Sequence, residues 1–170
     1  MTRSDEQEGE RDRRRGRERA EGGDDADDRD DGDGERSETL ELSQEGAAYL
    51  YGRSGATMQR LCRFSGCRIE MGSDKRVVEI RGACAGRALA RLCIDITLQQ
   101  RNGGTLDCDW AAIEKRDDAT VLDVPLSAVG FLMGSKGATL RDLESRHSVF
   151  MFFDNDTVRN REKRLYVLGT

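Results

Sequence analysis

The sequence predicts an α+β fold of two repeated units. In each unit the order of elements is strand, helix, helix, strand, strand, and a further helix ends the first unit. The first observation is a repeat: a twelve-residue stretch beginning at Leu50 returns 82 residues later at Leu132, with six positions identical. The second is that Gly-x-x-Gly occurs only in these two copies, although the chain has 19 glycines. The third is that apolar residues beside each copy recur at helical spacing, with strand-like alternation beyond them.

The N-terminal part of the chain differs in composition from the rest. Residues 1–38 contain nine Lys or Arg and sixteen Asp or Glu, with almost no apolar side chains. We expect a disordered tail, because such a segment cannot bury enough surface to offset its ordering entropy. Its basic cluster, Arg11–Arg19, is open to two interpretations: a solvated spacer, or a segment that attracts RNA or directs nuclear import. The predicted boundaries beyond the tail are a first unit at 39–102, a linker at 103–118 and a second unit at 119–170.

The elements of the first unit follow from the spacing of its apolar residues. Alternation predicts strands, spacings of three and four predict helices, and Gly52 and Gly66 each end a short helix. The predicted elements are a strand at Thr39–Ser43, helices at Gln44–Tyr51 and Ala56–Ser65, strands at Cys67–Met71 and Arg76–Ile80, and a helix at Ala83–Arg101.

The second unit repeats this order as far as its last strand. The predicted elements are a strand at Thr120–Val124, helices at Ser127–Met133 and Ala138–His147, a strand at Val149–Phe153, a polar loop at Asp154–Lys163 and a strand at Arg164–Leu168. No counterpart of the first unit's last helix follows. We therefore expect that the chain is a fragment or that a neighbouring element covers the second sheet. In the linker, Trp110 begins a possible short helix, where packing against a domain is favoured over stacking on a base.

Composition argues against several classes of function. The cysteines include no C-x-x-C pair and the chain has one histidine, so reduced, buried thiols in the cytoplasm or nucleus are favoured over a metal site. No apolar run approaches the ~20 residues of a membrane-spanning helix. No Ser/His/Asp set is visible, and the Gly134-Ser135-Lys136 segment lacks P-loop spacing, so we expect neither an enzyme nor a cofactor.

The two copies resemble the K-homology (KH) domain family. In the second copy the resemblance lies in Val124-Pro125, Val129-Gly130, an apolar pair, the Gly-x-x-Gly of Gly134–Gly137 and the amphipathic helix after it. In the first it lies in the corresponding loop and in Ser65–Met71, which is similar to the family's SG-x-R-I-x-I. The resemblance covers roughly residues 37–170 and implies two KH units of the eukaryotic type I, the second without its final helix.

The resemblance implies single-stranded RNA, or single-stranded DNA, as the ligand, clamped as about four nucleotides per unit. The glycines allow close approach of the backbone to the ligand, and Arg53-Ser54 and Ser135-Lys136 supply a cation and a hydroxyl for phosphate. The predicted RNA-binding residues are Gly52, Arg53, Ser54, Gly55, Arg60, Arg68, Ile69, Gly134, Ser135, Lys136, Gly137 and Arg141. The predicted groove residues are Leu50, Met58, Leu61, Leu132, Leu140, Leu143 and Met151, together with Ile69.

Two other interpretations of the loops stay open at this point. Gly-x-x-Gly could be a plain turn between helices without a ligand. The units could instead be KH-like modules for protein interaction or scaffolding. The aromatic strand Phe150–Phe153, which we expect to be exposed, favours this, because an uncovered second sheet would offer a surface for a protein partner or for self-association. We expect post-transcriptional RNA regulation to be the process served.

Overall fold

The computed structural model describes residues 36–103 and 105–169. The disorder predicted for the tail therefore falls almost wholly outside the described residues. Within them, no helix is long and apolar enough to cross a lipid bilayer.

The first unit has the predicted α+β order. Its elements are β1 (Arg36–Glu41), α1 (Gln44–Tyr51), α2 (Ala56–Ser65), β2 (Arg68–Met71), β3 (Val77–Gly82) and α3 (Cys84–Arg101). The sheet is antiparallel in the order β1-β3-β2. β1 begins three residues before the predicted boundary, since Arg36–Glu38 pairs with β3 and so belongs to the sheet. It ends earlier than predicted because the Ser43 side chain caps α1 by accepting a hydrogen bond from the Gly46 N–H at 3.1 Å.

The second set of elements repeats this arrangement up to its last strand. After α4 (Trp110–Glu114) come β4 (Ala119–Pro125), α5 (Leu126–Met133), α6 (Ala138–His147), β5 (Phe150–Arg159) and β6 (Glu162–Leu168). Its sheet is also antiparallel, in the equivalent order β4-β6-β5.

The predicted polar loop at Asp154–Lys163 is wrong. β5 continues to Arg159 and β6 begins at Glu162, with Val158 opposite Lys163 and a register shift between Phe153 and Val158. Asn160 and Arg161, which join the strands, both have positive φ (52° and 66°), as in the tight two-residue turns that favour hairpins. The polar composition was misleading because this part of the hairpin does not need alternating apolar residues to make its backbone hydrogen bonds.

Alternation along the strands divides the second sheet between two cores. Val124, Phe153 and Leu165 form a small core with α5 and α6. Phe150, Phe152, Tyr166 and Leu168 instead join the core of the first unit in one continuous cluster. The aromatic strand is therefore buried. The expectation that the second sheet is uncovered and available for self-association is wrong.

Elements of the first unit and the linker cover this second face. The Phe64 ring of α2 lies 5.2 Å from the Phe150 ring. Trp110 of α4 lies 6.3 Å from Phe152 and 5.0 Å from Tyr166, centroid to centroid. These contacts confirm that neighbouring elements cover the second sheet and that Trp110 has a packing role.

The outer face of α5 stays exposed, although Ala128, Val129 and Leu132 on its inner face pack on the small core. In the first unit, Gly46 of α1 lies against Leu98 of α3: a Cβ at Gly46 would be 3.5 Å from Leu98 Cδ2. Among the described residues nothing equivalent packs on α5, which has no fully buried residue, and its Phe131 is 81% exposed.

Candidate nucleic-acid interface

The two Gly-x-x-Gly loops have the same backbone conformation. Gly52 has φ 69° and ψ −172°, and Gly134 has φ 66° and ψ −175°. This region of backbone space is essentially restricted to glycine. The third residue of each loop, Ser54 or Lys136, is left-handed with φ 53° or 52°. The sequence repeat therefore encodes one loop geometry twice.

A threonine packs against the first glycine of each loop. A Cβ added at Gly52 would lie 2.4 Å from Thr57 Oγ1, and one at Gly134 would lie 2.1 Å from Thr139 Oγ1. Both distances are far shorter than a van der Waals contact. A side chain at either glycine would therefore require a shift of the loop or of the following helix. This contact explains why Thr is one of the repeated positions, a role that the sequence analysis missed.

Each loop leads into a helix whose first turn has no side-chain cap. Gly55 and Gly137 are the N-caps of α2 and α6, and neither position supplies a side-chain hydrogen bond. The positive end of the helix dipole favours an anion near these loops. At the tips, Arg53-Ser54 and Ser135-Lys136 are exposed.

The first groove lies between α2, β2 and the first loop. It has a volume of about 390 Å³. Of the predicted residues, Ser54, Gly55, Met58 and Ile69 line it, together with Tyr51, Gln59, Cys62, Glu70 and Met71, which sequence reasoning missed. Leu50 and Leu61 were predicted to form its floor, but both are fully buried in the core. The apolar stripe of each helix has a core-facing and a groove-facing edge, and spacing alone does not separate them.

The second groove is smaller, and one residue of the first unit helps to line it. Its volume is about 240 Å³. The predicted residues Lys136, Gly137, Leu140, Arg141 and Met151 line it, with Met133, Phe152 and Phe153, and with Gln100 of α3. Leu132 and Leu143 are half-buried and do not line it.

Arg60 lies between the two units. Its Nη1 is 3.0 Å from Glu144 Oε2 on α6, its side chain is only 14% exposed, and its guanidinium lies 5.7 Å from the Phe150 ring centroid. Arg60 does not line the first groove, because packing of the two units engages it, and its role in RNA binding stays a prediction. Arg68 is well exposed on β2, where its Nη2 lies 2.9 Å from Oε1 of Glu70 on the same strand.

Glu144 is a buried carboxylate at the centre of this contact. Its side chain is 1% exposed. Oε1 accepts a hydrogen bond from the Met151 N–H at 2.8 Å, and Oε2 lies 3.6 Å from Arg141 Nη1. Burial raises the pKa of Glu144 to about 7, although the Met151 N–H and Arg141 act to lower it.

The loops, the grooves and the order of elements in the first unit agree with one family in the comparison with known proteins. Residues 37–95 match the KH domain family. The match supports nucleic-acid binding at the level of this family, and it falls within the first unit. The described residues contain no group of His, Cys, Asp and Glu that could hold a metal ion.

The curated relatives of this chain are much longer proteins. Far upstream element-binding protein 2 from Homo sapiens and from Rattus norvegicus are each 24% identical over 129 residues, covering 71% of this chain. The chain spans 18% of the length of these relatives. A solved structure, the a/eIF2alpha-aDim2p-rRNA complex from Pyrococcus horikoshii OT3, contains a chain that aligns with 82% of this one at 18% identity, with a TM-score of 0.35 and 78% of that chain covered.

Proposed function

We propose that this chain binds single-stranded nucleic acid, and RNA in particular, through both Gly-x-x-Gly loops and the apolar grooves beside them. We further propose that two KH units, with a linker at 103–118, serve post-transcriptional regulation of RNA in the cytoplasm or nucleus. The observation that carries the proposal is the pair of loops: they share one glycine-dependent geometry, expose a cation and a hydroxyl, and open onto apolar grooves.

The chemistry of each site divides between phosphate and base. The loop N–H groups, with Arg53 and Ser54 or Ser135 and Lys136, suit phosphate oxygens, which position a strand without reading its sequence. Met58 and Ile69 give the first groove an apolar floor, which suits the faces of unstacked bases. A duplex does not present unstacked bases, so the arrangement favours a single strand.

Charge reversal at the loop tips tests this proposal. One variant carries Arg53→Asp and Ser54→Asp, a second carries Ser135→Asp and Lys136→Asp, and a third carries all four changes. Stability should change little because the tips are exposed, and Asp tolerates the left-handed backbone at Ser54 and Lys136. Binding of a labelled oligopyrimidine strand should weaken, and the salt slope should fall by about 0.7 for each phosphate that the protein no longer neutralises.

A matched control carries the same change of charge elsewhere. Ser145→Asp with Arg146→Asp alters two exposed residues of α6 that line neither groove. Each two-site variant changes the net charge by as much as this control does. If both two-site variants stay folded and bind RNA as tightly as the control, the loops do not bind phosphate and the proposal is refuted.

A second candidate function is a KH-like protein-interaction or scaffold module. The observation that favours it is the outer face of α5, where Leu126, Phe131 and Met133 are exposed. It would gain support if the four-site variant retained full biological activity without binding RNA.

A further inference from the structure

A cleft separates the first loop from the second unit. It has a volume of about 330 Å³ and lies between Tyr49, Gly52 and Thr57 of the first unit and Arg141 of the second. Gly52 and Thr57 border this cleft, whereas Ser54 and Gly55 of the same loop segment border the first groove. The first loop therefore has the first groove on one side and the cleft on the other.

The cleft also adjoins the second groove. Arg141 lines both cavities, and the second groove continues from it to Lys136 and Gly137 of the second loop. The three depressions thus follow one another across the surface: first groove, cleft, second groove. Because α2 and α6 are tied by the contact between Arg60 and Glu144, the order of the three is fixed by the fold.

The side chains of the cleft can hold a nucleotide. Tyr49 is 39% exposed and offers an aromatic face, and Arg141 is half exposed. Arg60 lines the cleft from behind, and its Nε has no hydrogen-bond partner among the described residues. Glu144 carries at most one negative charge against the two guanidinium groups and is buried, so the accessible charge is positive. Aromatic stacking and a guanidinium are the usual elements of sequence-tolerant binding to a single strand.

We propose that this cleft holds the nucleotide linking two segments of one RNA strand, with its base against Tyr49 and its phosphate at Arg141, so that both units bind a single continuous strand. This inference rests on the proposed function of the loops and grooves. With about four nucleotides in each unit, the continuous site spans roughly nine nucleotides.

The test compares oligouridylates of four and ten nucleotides. Tyr49→Glu places a negative charge in the cleft without altering a residue that lines either groove. Phe131→Glu is the matched control, because Phe131 is the counterpart of Tyr49 82 residues on and lines none of the three cavities. Affinity and stoichiometry are measured by fluorescence anisotropy and calorimetry, and folding by circular dichroism.

The unaltered protein should bind one ten-nucleotide strand per chain, far more tightly than the four-nucleotide strand. Tyr49→Glu should weaken binding of the longer strand about tenfold, given the usual value of a base–aromatic stack, and leave the shorter strand unaffected. Tyr49→Ala should act in the same direction through loss of stacking alone. Phe131→Glu should change neither affinity.

The outcomes separate this inference from the proposed function. If the four-nucleotide strand binds but the longer strand gains nothing, or if Tyr49→Glu behaves like Phe131→Glu, the cleft does not link the two sites and the inference is refuted. If neither strand binds the unaltered protein, both the inference and the proposed function are refuted.

Discussion

Replacing Phe150 with alanine removes one of the four buried side chains that the described part of the second sheet contributes to the core of the first unit. Phe150 is fully buried, and its ring lies 5.2 Å from Phe64 and 5.7 Å below the Arg60 guanidinium. Truncation of a buried Phe costs about 3–5 kcal/mol. Aromatic pairs contribute about 0.5–1.5 kcal/mol of such a loss, so Phe64→Ala and Phe150→Ala should show a coupling of that size in a double-mutant cycle.

The structure supplies a probe for this measurement. Trp110 is the single tryptophan of the chain and packs against Phe152 and Tyr166 of the second unit. Its fluorescence therefore reports the packing of α4 on the second sheet, whereas far-ultraviolet circular dichroism reports all helices and strands. In guanidinium chloride the two signals should change together in the unaltered protein, and Phe150→Ala should move both midpoints to lower denaturant by the same amount.

Phe131→Ala is the control, since this exposed side chain should contribute less than about 0.5 kcal/mol. If Phe150→Ala also costs less than this, the shared core does not hold the protein together. If it moves only the Trp110 transition and leaves the dichroism unchanged, the two units fold independently and the reasoning is wrong.

Two further predictions concern Glu144 and Gly52. Burial raises the pKa of Glu144 to about 7 in the folded protein, from a reference near 4.3 in the unfolded chain. Between these two pH values only the folded protein keeps the proton, so the free energy of unfolding should fall by up to about 3 kcal/mol as the pH rises from 5 to 8. When the free energy of unfolding is measured by denaturation at each pH, Glu144→Gln should abolish that loss. A pH profile parallel to that of the unaltered protein would contradict the prediction. Gly52→Ala should cost more than Gly66→Ala, because both positions have positive φ but only the first places a Cβ 2.4 Å from a side-chain oxygen. Adding Thr57→Ala should recover part of that difference in unfolding free energy, and equal costs at Gly52 and Gly66 would show that the packing of Thr57 against the loop is unimportant.

The sequence predicted local structure well because local structure depends on local patterns. α1, α2 and α6 have the predicted bounds, since glycines and apolar spacing mark their ends. The order of elements was also correct through β6. The exception is the long hairpin of β5 and β6, whose pairing depends on backbone hydrogen bonds and a two-residue turn rather than on apolar alternation.

The sequence predicted the candidate site less completely because neighbouring surfaces decide it. Periodicity placed Leu50 and Leu61 on an apolar stripe but could not show that they face the core. Arg60 has the positive charge expected of a phosphate-binding residue, yet its side chain binds Glu144, 84 residues away in the sequence. The cleft at Tyr49 and Arg141 arises only from packing of the two units, so no single stretch of sequence encodes it.

The buried contact between the units would also affect how strongly the proposed strand is bound. Two sites joined by a flexible linker have an effective concentration set by linker length, and binding must restrict the linker. Here Phe64, Phe150 and Trp110 fix the second unit before any ligand arrives. The entropy of arranging the two sites is thus lost during folding rather than during binding, which favours affinity. If the proposed function holds, we therefore expect a substitution in this core to alter the preferred spacing of bases on the RNA without changing a residue of the proposed site.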